Sequence, residues 1–260
     1  MKPILEIINL SALIEDKKIL NCLNLAIEPG SVHVIMGPNG AGKSTLSKVI
    51  AGHSDYVVEE GQILFDGESL LDMEVEKRAL KGVFVSFQAP PEIRGVTNLH
   101  FLHVAYNCFE KARGQELTKH KAFEKMLDEI MDKLQIPHEF KHRKINEGLS
   151  GGEKKKMEVL QMILFSPKLI ILDEIDSGLD IDALKVIAKA VNSMKNENCS
   201  ILIITHYQRI LDHIKPDHIH VMIDGKIVHS DDHSLANKLE IHGYDWVYEK
   251  AGYINAASTR

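Results

Sequence analysis

Apolar positions in the first third of the chain fall at strand spacing. Leu5, Ile7 and Ile8, then Leu23, Leu25 and Ile27, alternate with polar residues, and Pro29-Gly30 marks a turn before the next element. Val32 to Met36 is a short branched apolar run, which predicts a buried parallel strand. A glycine-rich loop follows, then Leu46, Val49 and Ile50 at helical spacing, with Gly52 as the stop. From about Leu99 to Phe165 strand signals nearly vanish. Phe123, Leu127, Ile130, Met131 and Leu134 make a helical stripe interleaved with charged residues, and Pro137 is expected to close that helix. The stripe reads as the core face of a helical subdomain. Leu169 to Leu172 and Ile201 to Ile204 are unbroken apolar runs, as expected of strands covered on both faces. Leu184, Ile187, Ala188 and Val191 predict a helix between them. The pattern therefore predicts an α/β core over residues 1–98 and 166–240, interrupted by a helical subdomain over 99–165 and followed by a C-terminal extension, 241–260.

Composition narrows the function classes. With 44% hydrophobic and 26% charged residues among 260, a sizeable core is available. The net charge of −6 argues against a protein that coats nucleic acid or binds membranes through a polybasic surface. No apolar run approaches the roughly 18–20 residues that span a bilayer. Met1 to Leu10 lacks the layout of a secretory signal, so a cytoplasmic location is expected. Cys22, Cys108 and Cys199 form no C-x-x-C pair and read as reduced thiols. Fourteen histidines suggest a metal. His218 and His220 share one face of a strand, but no third ligand of matching placement is evident, so they read as surface or packing residues.

Candidate chemistry begins at Gly37-Pro38-Asn39-Gly40-Ala41-Gly42-Lys43-Ser44, which satisfies G-x-x-x-x-G-K-[ST]. Glycines let backbone N–H groups converge on phosphate oxygens, and the following helix aims its positive end at them. Lys43 would reach the β- and γ-phosphates, and the Ser44 hydroxyl would ligate Mg²⁺. The strand before and the helix after supply the context that a chance glycine-rich turn lacks. Asp173-Glu174 ends the Leu169–Leu172 run, at the carboxyl edge where open α/β sheets bind ligands. Successive residues point to opposite sides of a strand, so Asp173 would serve the metal and Glu174 would act as general base on water. His206 ends the next run in the same way and is placed at the γ-phosphate.

Leu149-Ser150-Gly151-Gly152-Glu153 precedes a helix carrying Met157, Leu160 and Ile163. It resembles the LSGGQ signature of ATP-binding-cassette (ABC) domains. With Gln88, Ser177-Gly178-Leu179-Asp180 and His206, the ordered motif set of that family is present over nearly the whole chain. The resemblance implies a P-loop ATPase core of ABC type, with Thr45 joining the P-loop contacts to ATP. It adds Gln88 to the Mg²⁺ ligands and to the catalytic group with Glu174 and His206. It also implies a head-to-tail pair in which Ser150, Gly151 and Gly152 of one copy close over ATP held by the other. Ser150 and Glu153 form a capping-box pattern, although Glu153 brings negative charge where the family usually has Gln. The stretch Glu15-Asp16-Lys17-Lys18-Ile19-Leu20 lacks the aromatic that many members stack on adenine.

The chain has no room for the long coiled coil of DNA-repair cassettes, and it carries one cassette where ribosome factors carry two. Pro90 to Val96, Asp176 to Lys185, Thr205 to Leu211, Pro216 to Val221 and Gly243-Tyr244-Asp245-Trp246 are similar to the ATPase of the Suf iron–sulfur assembly system. That likeness implies SufB- and SufD-type scaffold partners, docked beside Gln88 through residues 90–98 and the helical insertion. An ATPase subunit of a membrane ABC transporter is the alternative. Lys154, Lys155 or Lys156 could also hold a catalytic carboxylate when no partner is present.

Overall fold

The computed structural model describes residues 2–86, 88, 90–205 and 209–252. The chain opens with β1 (Leu5–Ile14) and β2 (Lys17–Ile27), an antiparallel hairpin turned at Glu15 and Asp16, both at positive φ. Both strands are longer than the apolar patches that predict them. Next come β3 (Val32–Met36), α1 (Lys43–Ala51), β4 (Tyr56–Phe65), β5 (Glu68–Ser69), α2 (Val75–Lys81) and β6 (Val83–Ser86). Residues 93–165 hold β7 (Ile93–Thr97), α3 (Asn98–Ala112), α4 (His120–Lys133), a 3₁₀ turn (His138–His142), β8 (Lys144–Ile145) and α5 (Gly151–Phe165). The remainder is β9 (Leu169–Asp173), α6 (Ile181–Met194), β10 (Ser200–Ile204), β11 (His218–Ile223), β12 (Lys226–Asp231), α7 (Ser234–His242) and α8 (Asp245–Lys250).

The strands form two main sheets. One is antiparallel, in the order β2-β1-β4-β5; the other runs β12-β11-β3-β10-β9-β6 and is parallel except for its edge strand β12. The unbroken apolar runs now have their reason. Val32, Val34, Ile170, Leu172, Ile201 and Ile203 face a core shared with the helices, while Ile35, Leu169, Ile171, Leu202 and Ile204 face the antiparallel sheet. Period-2 alternation with both faces buried erases the polar positions.

The helical stripe packs as expected: Phe123, Leu127, Ile130 and Met131 of α4 are buried. That helix ends at Lys133, a turn earlier than Pro137, because Leu134 caps it and Gln135 turns back at φ 53°. The far end of α1 is fixed by a buried cation. Arg78 donates from Nη1 to the carbonyls of Val49 and Ile50 at 3.0 and 2.9 Å, and from Nε to Met73 O at 3.0 Å. Such bonds satisfy helix-end carbonyls that otherwise lack partners, at about 1.5–3 kcal/mol per charge-assisted bond. The helix that begins at the phosphate loop is thereby anchored at its other end.

Candidate active site

Strand β3 and helix α1 hold the loop 37–44 between them at the carboxyl edge of the parallel sheet. A side chain at Gly37 would put its Cβ 2.1 Å from the Met222 carbonyl oxygen, so β11 leaves room for glycine alone. Gly42 sits at φ 100° as the N-cap of α1, a conformation that L residues rarely adopt. Lys43 is buried, and its ammonium donates to the carbonyls of Gly37 and Pro38 at 2.8 and 3.0 Å. Burial lowers its pKa, against the opposing pull of Glu174 and Asp173.

The strand-end acids converge on the same loop. Asp173 is 3% exposed; its Oδ1 accepts from Ser44 Oγ at 3.0 Å and its Oδ2 from Ser47 Oγ at 2.7 Å. Its backbone N–H donates to Ser86 Oγ at 3.1 Å, tying β9 to β6. Burial raises the Asp173 pKa, and the two serine hydroxyls oppose that rise. Glu174 lies just past the strand at φ 50°, where its backbone N–H donates to Ile204 O at 2.9 Å. Positive φ is a strained conformation for a residue other than glycine. Gln88 Nε2 donates to Glu174 Oε2 at 2.6 Å.

A cavity of about 310 Å³ opens over these groups, lined by Lys17, Ile19, Asn39, Gly40, Gly42, Lys43, Ser44, Thr45 and Glu174. Lys17 and Ile19 of this cavity come from the stretch without an aromatic. The structure thus gathers Gly37 to Thr45, Asp173, Glu174 and Gln88. Ser150, Gly151 and Gly152 do not line this cavity. They begin α5, where Ser150 Oγ accepts from Glu153 N at 3.3 Å and Glu153 Oε2 accepts from Ser150 N at 2.7 Å. That backbone donor holds the Glu153 carboxyl below its usual range. His206 lies outside the described residues.

Two contacts had no signal in the sequence. Ser47, one helical turn beyond Ser44, holds the second oxygen of Asp173. The Tyr244 side chain from the C-terminal extension meets the backbone of Gly37, and burial raises its phenol pKa. Of the lysines after the signature, Lys155 lies close enough to Asp173 for its charge to oppose the rise in that carboxyl's pKa. Lys154 reaches Glu92 at 3.2 Å, Lys155 lies 3.6 Å from Glu158, and Lys156 donates to Gln135 O at 3.4 Å. Gln88 is one partner of Glu174.

Comparison with known proteins agrees with this geometry. Residues 20–177 match the ABC transporter family. The chain is 50% identical over 246 residues to the probable ATP-dependent transporter SufC of Escherichia coli, covering 95% of this chain and 99% of that one. It is 50% identical over 246 residues to the probable ATP-dependent transporter ycf16 of Cyanophora paradoxa, covering 95% of each. Among solved structures, an ABC-transporter cassette in its ADP conformation superposes with TM-score 0.74 at 27% identity, over 96% of this chain and 99% of that one. A nucleotide-free cassette gives TM-score 0.75 at 26% identity, over 95% and 98%.

Proposed function

The chain belongs to the ABC family of ATPases, in its Suf-type branch, and from that premise we propose that it drives conformational change in Suf scaffold proteins during iron–sulfur cluster assembly. It binds ATP and hydrolyses it. The observation that carries the proposal is the cavity in which Lys43, Ser44 and Glu174 meet, with Asp173 bonded to Ser44 and the signature of the same chain outside it. A site built this way is completed by a second copy, whose Ser150-Gly151-Gly152 helix start offers backbone donors to the γ-phosphate.

Ser44 and Asp173 present hard oxygen donors 3.0 Å apart, which suits Mg²⁺, with Gln88 as the further ligand; bound there, the ion would neutralise phosphate charge. Lys43 exchanges its loop carbonyls for phosphate oxygens. Glu174 orients and deprotonates the attacking water once Gln88 releases its carboxylate, and His206 contacts the γ-phosphate. ATP binds the closed pair more tightly than separate copies, and that difference moves the attached scaffolds.

The proposed docking surface is built rather than loose. Asn146 Nδ2 donates to Pro91 O at 2.8 Å, Asn98 Nδ2 to Phe140 O at 2.9 Å, and β7 pairs with β8. Beside it lies an apolar groove of about 520 Å³, with Phe84, Val85, Phe101 and Phe109 in its walls. SufB- and SufD-type proteins are the proposed occupants, in the cytoplasm. A second reading, a subunit of a membrane transporter, is favoured by the family description and the names of the relatives. No helix among the described residues is long and apolar enough to cross a membrane, so that reading requires a separate membrane partner. Purifying the tagged protein from its own cells without detergent separates the two. Stoichiometric scaffold proteins that raise ATPase activity when added back support the first; partners recovered only with detergent refute it.

A further inference from the structure

The amino edge of the parallel sheet, opposite the nucleotide cavity, carries a cluster that the ATPase chemistry does not use. Strand β11 pairs with β3 so that His218 lies beside His33, and His220 beside Ile35. Odd and even positions separate cleanly: His33 shares a face with Ile35, and His218 and His220 share one with Met222, turned toward the antiparallel sheet. Glu28 follows directly on β2 of that sheet. Its Oε2 lies 3.1 Å from His33 Nε2, and the rings of His33 and His218 are 4.8 Å apart between centroids.

One ligand atom from each of Glu28, His33 and His218 lies within 4.8 Å of the others. His33 is 2% exposed, while Glu28 and His218 open to solvent, so the cluster has a fixed inner ligand and two outer ones that can close. Behind it runs a relay: His33 Nδ1 meets His220 Nε2 at 2.9 Å, and His220 Nδ1 meets Ser230 Oγ at 2.7 Å. His33 Nε2 is within hydrogen-bond distance of Glu28, and a metal ion taking that nitrogen would replace its proton, with His33 then donating from Nδ1 to His220 and His220 to Ser230. Zinc–nitrogen and zinc–oxygen bonds of about 2.0–2.1 Å span that N···O distance at an angle of roughly 100°, within the range of a first-row coordination sphere. Metal-bound histidines characteristically donate their other ring N–H to a fixed acceptor, and His220 stands in that place.

We propose that Glu28, His33 and His218 form a binding site for a divalent transition-metal ion, with His220 and Ser230 orienting the His33 ring. Two imidazoles and a carboxylate suit Zn²⁺ or Fe²⁺ and leave positions for water. The same set is a poor match for Mg²⁺, which takes oxygen ligands. The site joins the end of β2 to the starts of β3 and β11, and β3 leads into the phosphate loop. It stands independently of the role proposed for the ATPase.

Co²⁺ serves as the probe, added to chelator-stripped full-length protein without nucleotide and followed by its visible d–d absorption. One Co²⁺ binds per chain, is displaced by equimolar Zn²⁺ and resists millimolar Mg²⁺. His218→Ala and Glu28→Gln, both at exposed positions, each weaken binding more than tenfold with unchanged circular dichroism. Ser230→Ala weakens it about tenfold through the relay. Absence of saturable binding, or binding unchanged in either ligand variant, overturns the assignment. So does a near-ultraviolet thiolate–cobalt band, which would place the ion on a cysteine.

Discussion

Replacing Ser47 by alanine removes a single oxygen and tests how the buried Asp173 is kept charged. Ser47 is 1% exposed and its hydroxyl donates to Asp173 Oδ2 at 2.7 Å, with Ser44 holding the other oxygen. The hydroxyl also lies 2.9 Å from Ser44 O, but it has one proton, and the carboxylate is the stronger acceptor. A hydrogen bond to a charged group contributes about 1.5–3 kcal/mol, against about 0.5–1.5 for a neutral pair. At about 2–4 °C per kcal/mol for a chain of this size, Ser47→Ala lowers Tm by about 3–12 °C. The decisive assay is a double-mutant cycle with Asp173→Asn, read by urea denaturation in the absence of nucleotide. In the Asn background the bond lost is neutral, so the serine substitution costs about 1–2 kcal/mol less than in wild type. Additive losses, within about 0.3–0.5 kcal/mol, would show that Ser47 supports the helix rather than the charge of Asp173.

Glu174→Gln should slow ATP turnover by about 10²-fold or more while nucleotide binding persists, measured by steady-state hydrolysis beside a fluorescent-nucleotide titration; near-normal turnover removes it from the base role. Lys43→Ala should weaken nucleotide binding in the same titration, and unchanged affinity contradicts its place in the cradle. Glu153→Gln keeps an acceptor for Ser150 N, so stability should change by less than about 0.5 kcal/mol while ATP-dependent association of two copies strengthens; weaker association refutes the charge argument. Burial pushes the Cys199 thiol up to about 11, whereas Cys22 and Cys108 are exposed. At pH 8 a thiol reagent should therefore titrate the exposed pair in the native protein, with Cys199 reacting only after denaturation.

What could be read from the sequence depended on whether the interacting groups are neighbours along the chain. The phosphate loop is consecutive, so its glycines, Lys43 and Ser44 stand out, and the capping box of Ser150 and Glu153 spans a single turn. Ser47 gave no such signal: its partner is Asp173, and a serine inside an amphipathic helix looks like any polar filler. The histidine pair on β11 was visible, and its reading as packing followed from the absence of a third ligand nearby. Parallel pairing supplied one from far away, since His33 meets His218 only after β3 and β11 come into register. Likewise, Glu174 at a strand end suggests chemistry, but its positive φ and its contact with Gln88 depend on the turn that β9 makes against β10.

These contacts share a logic. Lys43 rests on the carbonyls of its own loop, Asp173 on two serines, and Glu174 on an amide. Each charge is held by a partner it can release, so nucleotide binding exchanges hydrogen bonds rather than creating them, and the net gain is small beside the gross interactions. A base whose carboxylate oxygen accepts from an amide at 2.6 Å is poorly placed to take a proton from water. Gln88 precedes the segment proposed to dock the scaffolds, so a partner that draws Gln88 toward the metal position frees Glu174 at the same moment. Gln88→Ala separates the steps. Lacking both the hold on Glu174 and the metal ligand, it should lose scaffold stimulation, read as the ratio of stimulated to basal hydrolysis. A variant still stimulated to the wild-type degree would show that docking acts through another route.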